Sequence, residues 1–134
     1  MRDLGAIHHV ALSVSDCDRS ARWYTTVLGF EELFREDGAH RRACVLRFPD
    51  GGYSVGLVQH LPADGTRFDP TRTGLDHLAF TVASRGELDE WAHRLQRHGV
   101  DHTGVAEIPA GAILNFRDPD GIGLALFWDG PTPR

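Results

Sequence analysis

No apolar run in this chain approaches the roughly 20 residues that a membrane-crossing helix needs. The opening Met1-Arg-Asp-Leu-Gly also lacks the apolar core of a secretory leader. The expectation is a soluble, cytoplasmic protein. Cysteine is scarce: Cys17 and Cys44 stand without a metal-binding spacing, and two thiols make no disulfide framework in 134 residues. Both read as reduced packing residues, because no sequence feature activates either one as a nucleophile. Clustered positive charge is missing as well. The formal net charge is −5 with acids and bases scattered along the chain, so no basic stripe exists to neutralise phosphates, and nucleic acid is not an expected partner. The length suits one domain with a single core, in which neither half is expected to fold alone.

What is present is a duplication. His9-Val-Ala-Leu-Ser-Val-Ser and His77-Leu-Ala-Phe-Thr-Val-Ala-Ser each place a histidine at the head of alternating apolar residues, 68 positions apart. Trp23 and Trp91 each follow their histidine by 14 positions, and Pro49-Asp50-Gly51 recurs as Pro119-Asp120-Gly121 at an offset of 70. Two similar halves that pair can place two histidines across one cavity.

The alternation puts Val10, Leu12 and Val14 on one face of a strand over residues 7 to 13 and His9, Ala11 and Ser13 on the other. Asp16 or Ser15 can cap a helix in which Cys17, Ala21, Tyr24 and Leu28 share a face, and Gly29 suits its left-handed end. Strands follow over residues 31–35, 42–48 and 53–60, separated by turn-forming Asp37-Gly38 and Pro49-Asp50-Gly51-Gly52. Residues 61–74 read as the crossing between halves, with the proline and glycine content of a loop. The second half repeats the order. A strand over residues 75–82 carries Leu78, Phe80 and Val82 opposite His77, Ala79 and Thr81. Ser84 and Glu87 have the spacing of a capping box, Gly99 ends the helix, and strands follow at 103–108, 112–116 and 122–128 before a loose tail from Gly130. Trp23 and Trp91 read as core anchors of the two helices, and Asp118 and Asp120 as turn formers.

Two βαβββ modules, the opening His9-Val-Ala-Leu-x-Val-x-Asp, the second Asp76-His77-Leu-Ala-Phe-x-Val and Phe116-Arg-Asp-Pro-Asp-Gly121 together resemble the vicinal oxygen chelate superfamily of glyoxalases, bleomycin-resistance proteins and extradiol dioxygenases. The resemblance spans residues 5–129 as one domain, with module one at about 5–60 and module two at about 75–129. It implies an α+β fold: a cup-shaped, mostly antiparallel eight-stranded sheet with helices outside and a small-molecule ligand within. It implies a homodimer, since related two-module chains commonly pair. In metal-binding members the ligands come from the first strand of each module and from a glutamate in the last strand. His9 and His77 match the first two positions, for a divalent ion such as Zn, Mn, Fe or Ni. Ala125 occupies the place of the glutamate, and Gly56 the comparable place in module one. His60, which shares the alternation of Gly56, and Glu107 are the additional candidate ligands. Glu107 is by default a solvent-facing strand acid. The remaining histidines, His8, His40, His93, His98 and His102, read as solvated. Two functions follow from the resemblance: a metal-dependent lyase, isomerase or dioxygenase acting on an oxygen-rich molecule, or a metal-free protein that sequesters its ligand.

Overall fold

The computed structural model describes residues 2–62 and 65–131. Residues 132–134 of the expected loose tail lie outside them. Module one runs β1 (His9–Ser13), α1 (Cys17–Leu28), β2 (Glu31–Asp37), β3 (Arg41–Arg47) and β4 (Ser54–His60). Module two runs β5 (His77–Thr81), α2 (Arg85–Arg97), β6 (His102–Ile108), β7 (Gly111–Arg117) and β8 (Gly123–Trp128). The chain divides into two compact units between Thr66 and Arg67, one module in each.

Each module forms a four-stranded mixed sheet, in the order β1-β4-β3-β2 and β5-β8-β7-β6. Strands β2, β3 and β4 pair antiparallel in sequence, as hairpins must, whereas β1 lies parallel to β4. A parallel partner needs a crossover, and the helix after β1 supplies part of it. The same holds for β5 beside β8. The expected antiparallel character is thus correct for two of the three pairings in each module.

The helices form where their ends are specified. The Asp16 side chain accepts a hydrogen bond from the Arg19 amide at 3.0 Å, satisfying one of the first-turn donors that an α-helix leaves unpaired. Gly29 closes α1 at φ 82°, a left-handed geometry that side chains with a Cβ resist. In α2 the Ser84 hydroxyl accepts from the Glu87 amide, while the Glu87 carboxylate accepts from the Ala83 amide.

Helix α1 buries Cys17, Ala21, Tyr24, Val27 and Leu28 against β3 and β4, where Cys44, Leu46, Val55 and Leu57 are fully enclosed. Each such aliphatic side chain contributes about 1.5–3 kcal/mol on leaving water. Leu88 and Leu95 do the same for α2. The tryptophans differ from expectation. Trp23 and Trp91 are half-buried, and Tyr24, fully enclosed, is the aromatic anchor of α1. Trp23 packs edge-on against Tyr24, and Trp91 lies under the Arg94 guanidinium at 5.0 Å. A large indole at the helix flank gains most of its burial without entering the core.

Candidate functional site

The strand register arranges the helix-free face of each sheet into rows. In module one the rows are His9, Ser54, Arg47 and Glu31; Ala11, Gly56 and Val45; and Ser13, Val58 and Ala43. In module two they are His77, Gly123 and Arg117; Ala79, Ala125 and Asn115; and Thr81, Phe127 and Ile113. His9 and His77 therefore hold equivalent places, each opening its module's first strand and each turned from the helix, as the alternation implies.

The two histidines have different neighbours. His77 Nδ1 lies 2.7 Å from the Asp76 carboxylate. A carboxylate only accepts, so Nδ1 carries the proton and a neutral ring presents its lone pair at Nε2. That is the second-shell arrangement that orients imidazole toward a metal or a substrate proton. His9 Nδ1 instead meets His8 Nδ1 at 2.9 Å with the rings edge to face, so one of these two imidazoles donates to the other.

The other candidates lie apart. His60 shares the helix-free face of β4 but pairs with Arg41, whereas His9 pairs with Ser54; at a strand rise of about 3.3 Å per residue this separates them by roughly 20 Å. Glu107 pairs with Ala112, which is buried on the α2 side, and accepts from Arg85 of α2 at 2.8 Å. It sits on the opposite face from His77. Gly56 and Ala125 are both enclosed and bring no donor atom to their rows. Among the described residues no three His, Cys, Asp or Glu side chains gather as a metal-binding group. The thiols are packing residues: both are buried, and burial pushes each thiol up, Cys44 to about 12.

A cavity of about 800 Å³ opens in module two, lined by His77, Ile113, Asn115, Arg117, Gly123 and Phe127 among others. His102 also lines it, which corrects the reading of that residue as merely solvated; its Nδ1 accepts from the Gly104 amide at 3.0 Å, a bond made by the bulged start of β6. Asn115 and Arg117 were not anticipated either. A signal for Arg117 exists in the sequence: Arg-x-Pro-Asp-Gly occurs at 47–51 and again at 117–121. The turn after Arg117 is rigidly specified, because the buried Asp118 carboxylate accepts from the Asp120 and Ile122 amides, both at 2.9 Å. This network fixes where β8 begins and so holds Gly123 between His77 and Arg117.

Two duplicated βαβββ units, each with a histidine heading the strand beside a small-residue floor, define a vicinal oxygen chelate architecture. Residues 6–126 match the Glyoxalase/Bleomycin resistance protein/Dioxygenase superfamily, and the chain belongs to it. A solved glyoxylase/bleomycin resistance protein/dioxygenase domain from Frankia sp. EAN1pec shares 40% identity with a TM-score of 0.89, covering 95% of this chain and 99% of that one. Protein YwkD of Bacillus subtilis (strain 168) is 32% identical over 130 residues, covering 92% of this chain and 97% of its own length. The catechol-2,3-dioxygenase of the same organism is 29% identical over 125 residues, but this chain spans only 42% of it. The same fold is found in TnmS3, an antibiotic binding protein from Streptomyces sp. CB03234, at 23% identity and a TM-score of 0.75, covering 98% of this chain and 100% of that one.

Proposed function

We propose that this protein is a glyoxalase-like enzyme of the lyase, isomerase or dioxygenase type, acting on a small oxygen-rich molecule with a divalent ion held by His9 and His77. The observation that carries this reading is the Asp76 bond to His77, which leaves Nε2 as the open lone pair beside the cavity. His77 has the chemistry of a ligand to such an ion, since its Nδ1 is engaged by Asp76; His9 would be the second imidazole, and oxygens of the ligand would complete the coordination. When bound, the ion supplies stabilisation of charge developing on those oxygens. The chain's own part is positional. Asp76 holds the His77 tautomer, Gly123 leaves room for the His77 side chain, whose Cβ would stand 3.3 Å from a Cβ there, and Ile113 and Phe127 provide apolar contact that excludes water.

A second reading, a metal-free protein that sequesters its ligand, is favoured by Gly56 and Ala125, since neither contributes a carboxylate. Metal analysis of protein purified without added metal, repeated on His9→Ala and His77→Ala, separates the two. The first reading expects bound metal in the parent and its loss from both variants, with the fold intact because both side chains point off the core. Metal-free parent protein that still binds small molecules would establish the second.

A further inference from the structure

The two modules have diverged at one equivalent place, and the divergence concerns an arginine. On the helix-free face of module one, Arg47 pairs with Glu31 at 3.5 Å and Arg41 with Glu36 at 3.8 Å. Arg117, the counterpart of Arg47, has no carboxylate within ion-pairing distance among the described residues. Its Nη1 donates to the Gly121 carbonyl at 2.8 Å, which anchors the guanidinium and leaves the rest of its donor fork open. A second guanidinium approaches the same turn: a Cβ built on Gly121 would stand 3.9 Å from an Arg67 nitrogen. Arg67 is likewise without an ion pair among the described residues.

The surroundings give this pair a use. Arg117 lines the cavity and shares a row with His77, with only Gly123 between them. Two strand spacings separate their backbones by roughly 10 Å. In module one the intervening position is Ser54, and the arginine is already neutralised. The apolar wall of Ile113 and Phe127 flanks the same floor. Two carboxylates also line the cavity: Asp76, engaged by His77, and Asp101, one residue before the His102 to Phe116 pair.

We infer that Arg117, assisted by Arg67, is a specificity-determining anchor for an oxyanion of the ligand, a carboxylate or a phosphate-type group, whose apolar body rests on Ile113 and Phe127. A planar guanidinium matches either oxyanion through paired hydrogen bonds. The inference rests on the reading of this face as the ligand floor, and not on whether that floor holds a metal.

The test is an NMR titration of the whole protein in the presence of a chelator, with benzoate, phenylphosphonate and the neutral benzamide as probes. One or both anions should bind at least tenfold more tightly than benzamide, and the tighter of the two identifies the class of oxyanion. Arg117→Met should erase the preference, Arg67→Met should reduce it, Asp101→Asn should strengthen it, and Arg97→Met, in the last turn of α2 and not among the residues that line the cavity, should leave it unchanged. Equal affinity for anions and benzamide, insensitive to Arg117→Met, overturns the oxyanion anchor while leaving the ligand floor standing. An equal loss in Arg97→Met also overturns it, by showing a diffuse charge effect. Failure of every probe to bind removes the anchor and the ligand floor together.

Discussion

Ala125 is the residue whose substitution best tests the proposed chemistry. It lies on the same face as His77, one row further along the sheet, flanked by Ala79 and Asn115, and it is fully enclosed. A carboxylate placed there without a cation would be buried unpaired, at a cost of several kcal/mol. Ala125→Glu is therefore expected to melt below the parent when metal-free and to recover when Zn²⁺ or Mn²⁺ is added. Its metal affinity should rise at least tenfold, about 1.4 kcal/mol, because two imidazoles and a carboxylate hold a divalent ion better than two imidazoles. Calorimetric titration and melting curves with and without metal read both effects. A variant that melts lower and gains no affinity would mean that the floor does not assemble a metal site, and ligand sequestration would become the better account. The Arg117 and Arg47 difference belongs to the same scale. It separates two residues that share an Arg-x-Pro-Asp-Gly context by a single carboxylate, Glu31, that reaches only one of them.

At the scale of elements, the helix ends carry specific stabilisation. Asp16→Ala should cost about 1 kcal/mol through loss of the first-turn acceptor, and Gly29→Ala about 1–2 kcal/mol through the left-handed backbone it must adopt. Urea unfolding of each variant measures these, and unchanged midpoints would contradict the capping geometry. These ends were legible in the sequence because a cap is a local signal: Asp16, Gly29, Ser84 and Glu87 act within a turn of where they stand. The faces of β1 and β5 were legible for a similar reason, since alternation is local to a strand. The rows of the site were less so. That Arg47 faces Glu31, and that Glu107 turns to Arg85, depends on which residues pair between strands. Bulges shift that pairing between Glu32 and Phe34 in β2 and between His102 and Val105 in β6. His60 illustrates the limit most clearly: its parity is that of Gly56, but parity gives the face and not the distance along it.

At the scale of the whole molecule, the sheets have open edges. Strand β2 ends the sheet of module one with all seven residues exposed, Leu33 and Phe34 among them at 46% and 51%. An exposed apolar edge is normally covered or charged; Arg35 is held to Asp18 and Glu32 along this strand, which supplies charge but leaves the two apolar side chains uncovered. A homodimer is the expected state, and sedimentation at tens of micromolar should report twice the chain mass. A monomer at that concentration would count against it.

The pairing of β5 with β8 also sets an order of events. The ribosome delivers His77–Thr81 early in module two and Gly123–Trp128 last, yet among the described residues β8 is the only strand to which β5 is hydrogen-bonded. During synthesis the histidine-bearing strand therefore waits, without a place in any sheet, for nearly all of its module to emerge. The row of His77, Gly123 and Arg117 cannot assemble on a nascent chain that still lacks β8.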